Sequence, residues 1–99
     1  AGQPADVIAV RDGKSYLIDC KVCSRGRFPF SRIEDNQHTA MRAWQESGNG
    51  TGWFALKCEG YIFMLDYDTL KRLSKTQSSI SFKDMCFYGR VLEAWVVFA

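Results

Sequence analysis

Two aspartates and a lysine carry the first chemical signal in the chain. Asp12-Gly13 lies between apolar, β-rich runs, and Asp-Gly is the strongest short-range sign of a two-residue hairpin, because a type I′ turn needs positive φ at both central positions. With those residues as the loop, Arg11 pairs with Lys14, and counting outward sets Asp6 opposite Asp19. Side chains alternate along a strand, so Lys21 shares the face of Asp19 while Cys20 points away. Facing carboxylates repel unless a cation or a basic side chain lies between them. A hard divalent ion, Mg²⁺ or Mn²⁺, held by Asp6, Asp19 and the backbone carbonyl of Cys20, would satisfy them. Lys21 would then orient the attacking water or stabilise charge on a phosphate, which is the donor set of metal-assisted phosphodiester hydrolysis.

Those residues need a scaffold and a substrate surface. Lys21, Arg25, Arg27 and Arg32 fall between residues 20 and 33 with no acid among them, a basic loop suited to phosphate contacts. Pro29 keeps a helix from starting earlier. Ser31-Arg32-Ile33-Glu34 then has the form of a capping box, so a helix is expected from there to about Ser47, with Gly48 as its left-handed stop. Gln37, Ala40, Met41 and Trp44 share one face of that helix. A glutamine on a buried stripe must find partners, so Gln37 is either a satisfied core amide or part of the active site.

The remaining elements read as follows. Residues 6 to 11 and 14 to 21 are strands with two mostly apolar faces, expected in a sheet covered on both sides. Gly48 to Gly52 is a connector without a phosphate-loop pattern. Residues 53–58 and 61–65 are apolar strands joined by Glu59-Gly60. Asp66 or Asp68 caps a short helix through about Lys75, with Leu70 and Leu73 inward. Thr76 to Ser79 is loop, Ser81 to Asp84 starts a brief helical turn, and residues 91–98 form a final strand, with helix as the competing assignment. The order predicts one α/β domain over residues 1–99, a mixed sheet flanked by helices.

Composition agrees with a folded chain: 46% hydrophobic and 14% aromatic residues with a net charge of +2. No apolar run approaches a membrane span and no signal peptide is evident, so a cytoplasmic protein without membrane association is expected. The four cysteines are expected to be free thiols. Cys20 and Cys23 could supply half of a zinc site, but the second half is missing, with His38 the only histidine.

Asp6 after Pro4-Ala5, followed by Asp19-Cys20-Lys21 on the next strand, resembles the PD-(D/E)XK nuclease motif with its proline displaced by one residue. Downstream, Arg27-Phe28-Pro29-Phe30, Ser31-Arg32-Ile33 and Gln37 resemble the Phe-Pro-Leu segment and helical glutamine of RecU-type Holliday junction resolvases. The likeness covers residues 4 to 45. It implies a restriction-endonuclease-like fold, Mg²⁺-dependent cleavage of branched DNA in recombination and repair, a homodimer, and a bacterial or phage-encoded source. By the same resemblance Asp6 and Asp19 are metal ligands, Lys21 the catalytic lysine and Gln37 a supporting active-site residue. Arg25, Arg27 and Arg32 are then the DNA-contact candidates. The family also carries an N-terminal helix whose acid completes the metal site, so that helix is expected to be lost or to lie outside the sequence given. The alternative, from a different class, is a non-catalytic nuclease-fold domain that binds DNA or acts as a scaffold.

Overall fold

The computed structural model describes residues 7–98, so Asp6 lies outside the described residues. Strand β1 (Val7–Arg11) turns at Asp12-Gly13 into β2 (Lys14–Val22). Asp12 and Gly13 have φ of 51° and 78°, the left-handed pair that an Asp-Gly hairpin requires. The register is the expected one, with Arg11 opposite Lys14 and Val7 opposite Ile18.

After β2 come β3 (Arg27–Pro29), a 3₁₀ turn at Phe30–Arg32, and helix α1 (Asp35–Trp44), which widens into a last turn over Gln45–Asn49. Strands β4 (Trp53–Cys58) and β5 (Tyr61–Asp66) form a second hairpin, followed by α2 (Tyr67–Leu73). The chain continues through β6 (Ser79–Ser81), α3 (Phe82–Tyr88), β7 (Arg90–Val91) and α4 (Leu92–Phe98). The main sheet runs β1-β2-β4-β5-β7, and β3 pairs with β6 in a small second sheet. Among the described residues only β2 and β4 are parallel, joined through α1, and the other pairs are antiparallel. The fold is therefore mixed α/β with a partly parallel sheet, as expected.

Side-chain alternation divides this sheet into two packed faces. Leu17, Phe54, Leu56, Phe63 and Leu65 pack with Met41 of α1, Leu70 of α2 and Met85 of α3. Tyr16, Ile18 and Met64 leave the other face and pack with Trp95 of α4. Gly52 lets α1 come close: a Cβ there would lie 2.0 Å from Met41 Sδ.

Several expectations are corrected. The first hairpin is not covered on both sides, since β1 is the sheet edge and its Ile8 and Val10 are 63% and 68% exposed. Helix α1 starts at Asp35 rather than Ser31, because Ile33 stays extended (φ −82°, ψ 111°) and Glu34 is the residue that opens the helix. Gly48 does take the left-handed conformation, at φ 86°. Ser79 belongs to β6 rather than to a loop, and the turn expected at Ser81 grows into a full short helix. Residues 92–98 are helix, not strand. There β propensity gives way to packing: Leu92 and Trp95, three apart, meet the sheet together.

Candidate functional site

Strand β2 places Asp19 and Lys21 on the face covered by α1, α2 and α3, in register with Phe54 and Leu56 of β4. Asp19 is 1% exposed, one of the two buried polar side chains of the described residues. Bringing a carboxylate out of water costs several kcal/mol unless its charge is compensated, so this position is selective about its surroundings. Lys21 is half-buried one rung further along the same face. The donors at Asp19 are of the type that suits a hard oxygen-ligated ion: a carboxylate, with the carbonyl of Cys20 adjacent in the chain. Asp6, the other carboxylate of the expected pair, lies outside the described residues, and among the described residues no three His, Cys, Asp or Glu side chains converge.

Gln37 is the second buried polar residue, 4% exposed. Its position has a local cause, since Gln37 is the third residue of α1 and its Oε1 accepts from the backbone N–H of Glu34 at 2.9 Å. The capping box of this helix is thus Glu34 with Gln37, three residues after the one read from sequence. With the carbonyl end committed to the cap, any contribution of Gln37 to chemistry falls to its amide nitrogen.

The basic loop does not act as one patch. Arg25 and Gly26, with φ of 56° and 68°, form a tight turn closed by the Arg27 N–H donating to Ser24 O at 3.1 Å. This leaves Arg25 exposed at the tip. Arg27 sits on β3, where its Nε donates to Ser79 Oγ at 3.1 Å. Arg32 donates from Nη1 to the carbonyl of Val22, and its guanidinium lies 5.5 Å from the centroid of the buried Phe28 ring. Arg27 and Arg32 therefore fasten the segment after β2 as well as carrying charge.

The cysteines are free thiols, and Cys20 and Cys23 diverge. Cys20 is exposed, whereas Cys23 packs against the α1-side core, where burial pushes its thiol up to about 12 with the neighbouring Cys58 adding to the effect. A thiol held neutral in this way is a weak nucleophile and packs as a small apolar group.

A pair that the sequence reading overlooked lies on the same side of the sheet. His38 Nδ1 is 2.6 Å from the Tyr67 hydroxyl. Burial lowers the imidazole pKa, with the Arg42 and Lys71 charges acting in the same direction, and burial raises that of Tyr67. Both shifts favour a neutral imidazole accepting from a protonated phenol. The helical spacing of Gln37 and Met41 identified the inward face, but nothing local pointed from His38 to a tyrosine 29 residues later.

No family model matches the chain, and no curated protein aligns with it significantly.

Proposed function

We propose that the chain is a Mg²⁺-dependent DNA endonuclease domain, structure-selective for branched DNA and acting as a homodimer in the manner of RecU-type Holliday junction resolvases. One observation carries this reading: a nearly fully buried carboxylate, Asp19, with Lys21 following on the same face of β2. The strand lies inside a partly parallel sheet, between β1 and β4, and α1 connects it to β4. Rigid elements thus hold both groups, and catalytic geometry needs such support.

The roles follow from the chemistry of each group. Asp19 would hold the divalent ion through its carboxylate, with Asp6 and the Cys20 carbonyl as further oxygen ligands. A divalent ion held there would supply Lewis acidity toward the phosphate. Lys21 orients the attacking water and offsets negative charge that grows on the phosphate oxygens. Arg25 reaches outward for the DNA backbone, a contact that positions a substrate without reading its sequence.

The test compares a four-way DNA junction with linear duplex of the same composition, in Mg²⁺ and after EDTA. Junction cleavage that requires the metal, with little cut duplex, is the expected result. Junction binding without any metal-dependent product would replace this reading with the non-catalytic one.

A further inference from the structure

The opposite face of the sheet carries a cleft of about 360 Å³ that the proposed nuclease site does not use. Its floor is built from aromatic rings. Trp95 of α4 meets Tyr16 and Trp53 edge to face, at centroid distances of 5.2 and 5.3 Å. Two exposed cations stand among the lining residues, Lys14 at the start of β2 and Arg90 at the start of β7. Each also reaches an aromatic ring, Lys14 lying 5.2 Å from the Tyr16 centroid and Arg90 5.3 Å from that of Phe98.

Packing alone explains the rings but not the polar atoms among them. Trp95 is 8% exposed, and its indole Nε1 is buried with no hydrogen-bond partner among the described residues. An indole N–H withdrawn from water normally finds an acceptor. Asp66 also lines the cleft, but both its oxygens are engaged at the start of α2, accepting from Thr69 N at 3.0 Å and Thr69 Oγ1 at 2.7 Å. With two cations against this one carboxylate, the cleft favours an anion overall. The volume lies at the lower end of small-ligand sites, about 300 to 1,000 Å³, so it suits one compact molecule and not a duplex.

We propose that this cleft binds a nucleotide, its base against Trp53 and Trp95 with an acceptor atom of the base toward the Trp95 indole N–H, and its phosphate between Lys14 and Arg90. Stacking on aromatic side chains is sequence-tolerant because every base presents a π-face, and a lysine or arginine beside the ring satisfies the phosphate. A free mononucleotide and an unpaired nucleotide of a strand present the same base and phosphate. The inference does not rest on the nuclease reading, since Asp19 and Lys21 occupy the other face of β2.

The experiment is a ¹⁵N-resolved NMR titration that follows the three tryptophan indole N–H signals, with Trp95 assigned through Trp95→Phe. AMP, adenosine, inorganic phosphate and a short oligo-dT strand are added separately. AMP or the strand should shift the Trp95 indole signal in a saturable way, with adenosine and phosphate each at least tenfold weaker than AMP. Equal affinity for AMP and oligo-dT identifies a free nucleotide as the ligand, and tenfold tighter binding of oligo-dT identifies a strand; either outcome supports the site. Lys14→Glu and Arg90→Glu change exposed side chains and should each weaken binding at least tenfold while the remaining spectrum stays folded. An unmoved Trp95 signal, or affinity unchanged by both charge reversals, overturns the proposal. Loss of DNA cleavage in Asp19→Asn with the Trp95 shift intact would leave this site standing by itself.

Discussion

Asp19 stands opposite Phe54 across the parallel ladder of β2 and β4, an acidic residue 1% exposed in register with an aromatic residue that is 0% exposed. A carboxylate withdrawn from water is costly unless its charge is compensated, and the proposed function assigns that role to a divalent ion. Mg²⁺ should therefore raise the thermal stability of the wild-type protein and leave Asp19→Asn unmoved. Binding only to the folded state stabilises by about 2.7 kcal/mol at a hundred times the dissociation constant, readily seen in a melting curve. Equal gains in both proteins would remove Asp19 from the proposed metal site.

The His38 to Tyr67 contact sets a pH dependence of stability. Burial holds the folded imidazole pKa below its ordinary 6.5, so between those two values the unfolded chain binds more protons than the folded one. The stabilisation is present in full above about 6.5 and is lost as pH falls through this window toward the folded value. His38 is the only histidine in the sequence. Melting temperatures measured from pH 7.5 down to 5.5 should fall in the wild type and stay flatter in His38→Gln.

The arginines separate into an exposed one, Arg25, and two tethered ones, Arg27 and Arg32. Arg25→Glu should weaken junction binding and reduce its salt dependence with the melting temperature unchanged, as expected for a phosphate contact. Arg32→Ala should lose about 1 kcal/mol of stability, because it removes a charged hydrogen bond to Val22 O and the cover over Phe28. Filter binding at two salt concentrations and urea denaturation distinguish them.

Gly52 and Met41 should be coupled. A methyl at residue 52 would meet Met41 Sδ at 2.0 Å, so Gly52→Ala should destabilise by about 1 to 3 kcal/mol. Met41→Ala alone leaves a cavity, yet the double variant should be less damaged than the sum of the two. Additive losses in urea denaturation would mean that α1 shifts away instead of clashing.

Local chemistry explains which features were legible in the sequence. Asp12-Gly13 and Glu59-Gly60 determine their own backbone conformation, with positive φ at both residues of each pair, so both hairpins and the Arg11 to Lys14 register were readable. The spacing of Gln37, Met41 and Trp44 likewise gave the inward face of α1. Longer-range effects were hidden. The sequence reading places the cap at Ser31, and the extended Ile33 moves it to Glu34. The valine-rich end of the chain reads as strand until Trp95 meets Tyr16 and Trp53, which come from other strands. Of the candidate site, the Asp19 and Lys21 face was legible through strand alternation. The tethering of Arg27 to Ser79 was not, since it depends on β6 pairing with β3.

Single-turnover cleavage of an end-labelled four-way junction by wild type and Asp19→Asn, matched in Mg²⁺ and in circular dichroism spectrum, bears most directly on the proposed site. A rate at least about 10²-fold lower in the variant, the scale of losing one major source of transition-state stabilisation, is the predicted result. Equal rates in the two proteins would contradict it.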